Sequence, residues 1–351
     1  MKVLHVLASN KYSGAENVVC QIIKMFEGEI EMAYCSPDGP IRDALSERNI
    51  SFLPITKLNK RELKKVIQQY QPDIIHAHDM RASFIVSHSN GKTPFISHIH
   101  NNAFDSRGIS LKSIAYLFTG LKAKHIFWVS ESAYKGYKFG CFLNKKSSIL
   151  YNVVDIEELY KKMREDNKEY DYDIIYLGRL TYPKNPQRLI KVLAAVIKRK
   201  PETKIAVVGT GELEKETKQL AKALKIDKNI DFLGFTSNPL KILHDSKVMV
   251  MTSRWEGTPM CALEAMALGV PIVSTPVDGL KKLIKNGKNG FLCDLDNDLV
   301  DKILLIVNDK NLRLVFRNET EKRAIKFNCI EEYKKKLIKY YEENKYNRSD
   351  L

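Results

Sequence analysis

The sequence predicts an α/β protein built from two doubly wound, parallel-sheet domains, and three observations carry that expectation. Short apolar runs alternate with amphipathic stretches of helical period along nearly the whole chain, the pattern of parallel strands covered by helices on both faces. At 351 residues the chain exceeds what one hydrophobic core usually holds. The rhythm breaks once, in the charge-dense stretch Tyr151–Asp173, which places a linker between two series of elements.

In the first series the expected strands are Val3–Leu7, Glu31–Cys35, Asp73–His76, Pro94–His98 and His125–Val129, with helices at Ala15–Phe26, Gly39–Arg48, Lys60–Gln69 and Arg81–Ser89. This gives a first domain over residues 1–165. In the second series, strands are expected at Ile174–Leu177, Lys204–Val208, Ile230–Leu233, Val248–Thr252 and Pro271–Ser274. Helices are expected at Pro186–Lys200, Leu213–Leu224, Pro239–Ser246 and Pro259–Leu268, for a domain over residues 170–327. Residues 328–351 form a tail whose segment Ile330–Asn344 reads as a basic amphipathic helix.

No apolar run approaches the roughly 18 residues that span a bilayer. The opening apolar run is too short, and too quickly polar, for a secretory signal. A cytoplasmic protein is expected. Its six scattered cysteines, with no C-x-x-C pair, read as reduced thiols. The net charge of +15 is divided between both halves of the chain instead of gathering in one arm, which argues against nucleic acid. Acidic small ligands and an anionic membrane face remain as candidate partners.

In open parallel sheets, ligands bind beyond the carboxyl ends of the strands, so the informative residues follow each strand. Asn10 to Glu16 follow the first, and there Ser13 and Gly14 let a ligand approach a helix N-terminus that suits phosphate. An ordinary turn explains them equally well. The segment is not G-x-G-x-x-G, which disfavours a nicotinamide dehydrogenase. After Ile174–Leu177 come Gly178-Arg179-Leu180 and Lys184-Asn185-Pro186. Arg179 can grip two phosphate oxygens as a fork and Lys184 can serve as a point charge. Solvated surface charge is the alternative, and the strand-end position favours function. For Gly209 and Gly211, taken alone, a tight strand-to-helix turn is the better reading. Gly234-Phe235-Thr236 follows the next strand and can present backbone groups to a base.

The most informative segment is Arg254 to Val273. Glu256 lies in a loop, free to face a sugar. The backbone of Gly257, Thr258, Pro259 and Met260 opens a helix and offers N–H groups to phosphate. Glu264, a turn or so inside that helix, can accept hydrogen bonds from ribose hydroxyls. The competing account, a buried glutamate near a favourable dipole end, requires a partner. In Ser97-His98-Ile99-His100-Asn101-Asn102, alternation puts His98 and His100 on one side of a strand, and His76 and His78 end the strand before. The two H-x-H pairs invite a metal hypothesis, but no metal is expected, because carboxylate ligands at suitable positions are missing. His76 and His98 read as satisfied core or supporting residues.

Glu256 to Glu264 resembles the E-x7-E signature of the retaining glycosyltransferases of family GT4, which have the GT-B fold. Ser13-Gly14-Ala15-Glu16 is similar to that family's glycine loop, and Asp73-Ile74-Ile75-His76-Ala77-His78 to its D-h-h-H-x-H strand end. Asn152-Val153-Val154-Asp155 resembles N-G-V-D, with Val153 in place of glycine. Gly178-Arg179-Leu180 with Lys184-Asn185 resembles G-R-L…K-N.

The resemblance covers nearly the whole chain. It implies two Rossmann-like domains facing across a cleft, with the last helix returning to the first domain. It implies a donor site of Gly14, Arg179, Lys184, Gly209, Gly211, Phe235, Glu256, Gly257, Thr258, Pro259, Met260 and Glu264, in which Arg179 and Lys184 hold the diphosphate and Glu264 the ribose. Glu256 would contact the transferred sugar, and His100 the sugar or acceptor. Transfer would retain anomeric configuration, with a donor phosphate oxygen taking the acceptor proton and neither metal nor cofactor required.

A UDP-sugar donor and a lipid-linked oligosaccharide acceptor in capsular or exopolysaccharide assembly are expected from the same resemblance. Phe104–Lys146 mixes Arg107, Lys112, Lys122 and Lys124 with apolar residues. That mixture suits either a helix packed on its own sheet or a face lying on the inner surface of the cell membrane. A nucleotide-sugar epimerase and a non-catalytic nucleotide-binding partner of a transferase complex are the rival readings.

Overall fold

The structure, a computed structural model, describes residues 1–100 and 107–346. Asn101 and Asn102, and the first three residues of the stretch 104–146, lie outside the described residues. The chain divides into two compact units, Met1–Asn152 with Ile330–Leu351, and Val153–Cys329.

The first unit holds a seven-stranded sheet of β1 (Lys2–Val6), β2 (Glu31–Pro37), β3 (Phe52–Ile55), β4 (Ile74–His78), β5 (Phe95–Ile99), β6 (His125–Trp128) and β7 (Ser147–Ile149), in the order β3-β2-β1-β4-β5-β6-β7. The second holds six strands, β8 (Ile174–Leu177), β9 (Ile205–Val208), β10 (Ile230–Gly234), β11 (Val248–Met251), β12 (Ile272–Ser274) and β13 (Gly290–Leu292), in the order β10-β9-β8-β11-β12-β13. Every pairing in both sheets is parallel. Both faces are therefore covered, and β4, β5, β9 and β11 are buried along their whole length.

The helix Pro186–Arg199 shows how the covering layers form. Pro186 opens it at a position where a missing N–H costs nothing. Its buried residues Leu189, Ile190, Leu193, Val196 and Ile197 recur at helical period. They pack with Leu299, Ile303 and Ile306 of the helix Asp296–Asn308 over Ile174, Ile205 and Val250 of the sheet.

All ten expected strands are present. The three that the sequence reading did not find, β3, β7 and β13, are short edge strands. Edge strands bury one side at most and carry a weak apolar signal, and Pro54 in β3 is tolerated only because β3 lies at an edge. The unit boundaries fall after Asn152 and after Cys329, where the sequence reading set 165–170 and 327. Inside the expected linker lies the helix Ile156–Arg164, capped by Asp155, whose carboxylate accepts the Glu158 N–H at 3.0 Å. The helix Ile330–Asn344 buries Tyr333, Leu337 and Tyr341. Tyr341 reaches the sheet of the first unit, with its hydroxyl 2.7 Å from His76 Nδ1. The six cysteines, all among the described residues, are unpaired. No helix of the described residues is long and apolar enough to cross a membrane.

Each sheet reverses its winding once, between β1 and β4 in the first unit and between β8 and β11 in the second. A crevice opens beyond the strand ends at such a switch point.

Candidate functional site

In the second unit the loops after β8 and β11 meet at the switch point. Thr252 donates from Oγ1 to the Asn185 carbonyl at 3.1 Å, and the Arg254 N–H donates to the Pro183 carbonyl at 2.8 Å. The Arg254 guanidinium donates to Asn185 Oδ1 at 3.1 Å and lies 4.4 Å from the centre of the Tyr182 ring. Asn185 holds a left-handed φ of 54°, which turns the chain sharply into the helix Pro186–Arg199. Two segments 70 residues apart in sequence are thereby fixed as one surface.

Lys184 and Glu256 form the centre of that surface. Their Nζ and Oε1 atoms are 2.6 Å apart, with side chains 16% and 8% exposed. Ser253 Oγ donates to the same carboxylate oxygen at 2.6 Å. Burial, the largest single influence, pulls the Lys184 ammonium toward its neutral form, but the charge and hydrogen bond of Glu256 together with Cys261 outweigh it and hold the pKa above the ordinary lysine value. Arg179 is close enough to oppose that rise. Its own side chain is exposed and has no ion-pair partner among the described residues.

Beyond Glu256 the chain enters the helix Met260–Ala267, with Pro259 at its cap and Gly269, at φ 71°, past its end. Glu264 sits in the second turn and is half-buried. Cys261 lies within electrostatic reach of Lys184, Glu256 and Glu264. Burial pushes its thiol up to about 12, so it is no nucleophile.

The glycines divide by purpose. A Cβ on Gly209 would stand 2.1 Å from the Gly178 carbonyl oxygen, and one on Gly211 would stand 2.2 Å from that of Leu180. Both are needed so that the loops after β8 and β9 pack backbone to backbone. Packing thus accounts for their lack of a side chain, and ligand approach is not required to explain it. Gly234, with φ 69°, ends β10, and the 60%-exposed Phe235 follows it.

A residue that sequence reasoning missed, Gly279, lets the helix Asp278–Leu283 abut the site. A Cβ there would fall 1.5 Å from the Gly257 carbonyl oxygen. Gly279→Ala is therefore expected to displace the Gly257 loop, at a cost of about 1–3 kcal/mol, and to weaken nucleotide binding. Gly14→Ala, whose added carbon meets nothing within 4 Å, should leave the melting temperature unchanged. Thermal unfolding of the two variants side by side checks both expectations. Ser253, adjacent to the β11 end, had a positional signal; Gly279 had none.

In the first unit, Gly14 is exposed at the first turn of the helix Gly14–Met25. His100 does not stand alone. Register sets His5 opposite His76 and His78 opposite His98, so that with His100 five imidazoles share one side of the sheet. His5 Nδ1 lies 3.0 Å from His78 Nε2, and His78 Nδ1 lies 2.8 Å from His100 Nε2. Burial keeps all five neutral, with His5 and His100 lowered to about 3 and His76, His78 and His98 well below the ordinary value. His76 Nε2 and both ring nitrogens of His98 are buried without a partner among the described residues, so the expectation of satisfied side chains at those two positions is corrected: the strands pack the rings together but supply few acceptors or donors. The His100 ring faces this stack, leaving its backbone N–H bound to Asp79 Oδ1 at 2.9 Å.

Two family models match the chain in succession, Glycosyltransferase Family 4 over residues 12–158 and Glycosyl transferases group 1 over residues 157–323. Among similar proteins is an uncharacterized glycosyltransferase of Methanocaldococcus jannaschii, 29% identical over 80% of this chain and 76% of its own length. Another is the UDP-Gal:alpha-D-GlcNAc-diphosphoundecaprenol alpha-1,3-galactosyltransferase of Escherichia coli, 24% identical over 94% of each chain. Among solved structures, Anabaena HepE in complex with UDP-glucose superposes with a TM-score of 0.86 at 20% identity, covering 98% of this chain and 100% of that one. At that identity the likeness is one of fold, the GT-B fold.

Proposed function

The chain belongs to the group 1, family 4 glycosyltransferases, and we propose that it transfers a hexose-type sugar from a UDP-sugar to a lipid-linked saccharide, with retention, in the assembly of a surface polysaccharide. Family membership sets aside the epimerase and the non-catalytic partner.

One observation carries the site. A partly buried Lys184–Glu256 pair and an exposed Arg179, without an ion-pair partner among the described residues, stand at the carboxyl ends of β8 and β11, the strands that flank the switch point. A diphosphate leaving group gains negative charge as the glycosidic bond breaks. Fixed cations and free N–H groups at the start of the helix Met260–Ala267 stabilise that charge without reorganising. In this reading Arg179 and Lys184 hold the diphosphate, and Lys184 keeps two donors beyond the one used by Glu256. Glu256 meets the sugar, Glu264 the ribose and Phe235 the base. Gly257, Thr258 and Met260 border the phosphates. Pro259 contributes shape alone, having no N–H. Gly14 has an open backbone in the first unit, and its missing side chain serves no packing need. His100, its ring turned into the stack, shapes the acceptor side and performs no proton transfer. No divalent ion is needed for the transfer.

UDP as the nucleotide is supported by its presence in related structures, and a lipid-linked acceptor by the Escherichia coli relative. The helix Leu111–Lys122 adds a feature of this chain. It buries Ser113, Tyr116, Thr119 and Gly120 against its own unit, while Leu111, Ile114, Phe118 and Leu121 are 88%, 36%, 62% and 50% exposed. Arg107, Lys112, Lys122 and Lys124 surround them, all exposed. An exposed apolar stripe rimmed by cations suits an anionic bilayer surface.

Thermal unfolding with UDP tests the donor assignment. UDP should raise the melting temperature with no divalent ion added. Arg179→Ala should leave the nucleotide-free melting temperature unchanged and weaken UDP binding about 10- to 100-fold, as expected for lost charge-assisted hydrogen bonds. An unshifted wild type, or a variant that binds UDP normally, would remove Arg179 from the site.

A further inference from the structure

We infer that His78, His98 and His100 form a binding site for a first-row divalent transition-metal ion of the zinc class. The inference is independent of the transfer reaction proposed above. It starts from an arrangement that the sequence shows only in part, since His5, 71 residues before His76, joins the H-x-H pairs by strand register.

Three features point to an ion. One ring nitrogen from each of His78, His98 and His100 lies within 4.8 Å of the other two. Both nitrogens of His98 and Nδ1 of His100 are buried with no hydrogen-bond partner among the described residues.

The third feature is the protonation pattern. His5 Nε2 lies 3.4 Å from Met32 Sδ, and a thioether cannot donate, so the proton of neutral His5 sits on Nε2. His5 Nδ1 is then a bare acceptor, and His78 Nε2 must donate to it across 3.0 Å. Neutral His78 consequently presents Nδ1 as an acceptor toward His100 Nε2, 2.8 Å away, and an ion bound at Nδ1 replaces that one hydrogen bond while the His78 Nε2–H stays held by His5. A ligating histidine held by its other N–H in this way is what metal sites require.

The donor set is nitrogen only, which suits zinc, copper or nickel and excludes magnesium and calcium. Zinc–nitrogen bonds of 2.0–2.1 Å in tetrahedral geometry set ligand nitrogens about 3.3 Å apart, inside the 4.8 Å within which these ring nitrogens already lie. Asp79, whose carboxylate binds the His100 N–H, supplies adjacent negative charge. The second grouping, His5 with His76 and His78, is the weaker candidate. Among its ring nitrogens only His76 Nε2 lacks a partner among the described residues, against three in the first grouping.

The test uses the full chain without a polyhistidine tag, stripped with chelator and dialysed against zinc chloride. Elemental analysis should find about one zinc retained per chain, and zinc should raise the melting temperature. Cobalt in place of zinc should give the intense visible bands of a four-coordinate site. His98→Ala and His100→Ala should each lower zinc affinity by at least about tenfold, while His88→Asn, outside the stack, should not. Should the variants fail to fold, the wild-type cobalt spectrum decides. Weak six-coordinate bands, or no retained metal, would overturn the proposal, as would equal retention by folded His98→Ala and His100→Ala chains.

Discussion

Lys184→Ala is expected to lose transfer and to loosen the second unit, from a single cause. The ammonium and the Glu256 carboxylate are both mostly withdrawn from water, and Ser253 holds the same oxygen in place. Removing the lysine leaves a desolvated carboxylate with no opposite charge, a change that costs about 3–5 kcal/mol when one partner of a buried pair is deleted. The cation that neutralises the leaving diphosphate disappears with it, a loss of about 10²–10³ in kcat.

Urea unfolding and a transfer assay on the same preparation separate the two effects. Lys184→Ala combined with Glu256→Gln should recover much of the stability, because no charge is then stranded, and should recover none of the activity. A single variant as stable and active as the parent would end the assignment. The pH dependence follows from the sign of the shift. Because the folded pKa is raised, the pair's stabilisation is complete below the ordinary lysine value of 10.5 and fades as pH rises through the folded value. It should therefore be constant across neutral pH.

Leu111→Glu with Phe118→Glu is expected to abolish binding to anionic vesicles and leave the fold intact. Both side chains are more than half exposed, so neither substitution removes core contacts. Burying a Leu or Phe side chain is worth about 1.5–3 kcal/mol, and a carboxylate beside anionic lipid adds repulsion. The pair should weaken vesicle association by at least about a hundredfold. Co-sedimentation at low salt measures this, with activity on a soluble acceptor analogue as the control. Unchanged co-sedimentation would show that the stripe does not face lipid. Loss of both activities with normal unfolding would point to acceptor binding instead.

The candidate site was legible where chemistry is local. Arg179, Lys184 and Glu256 were readable because position after an apolar strand run is itself a signal in a parallel sheet. The strand expectations succeeded for the same reason, since strands buried on both faces announce themselves as apolar runs. Edge strands β3, β7 and β13 bury less and were missed. The apolar residues of Leu111–Lys122 left two accounts open: Ser113, Tyr116, Thr119 and Gly120 are buried in the helix's own unit, while Leu111, Ile114, Phe118 and Leu121 face out, and the vesicle assay decides whether they meet lipid.

The sequence by itself determined the α/β class, the two series of strands and helices, the family, and the loops that carry the charged residues. Each of these depends on residues near one another along the chain. Tertiary structure decided which of those residues meet. It joined Lys184 to Glu256 across 72 positions and His76 to Tyr341 across 265, gave Gly209, Gly211 and Gly279 a packing role, and gathered five histidines. Those outcomes depend on strand register and on desolvation. Both arise only when distant segments exclude water from one another, and no local pattern encodes them.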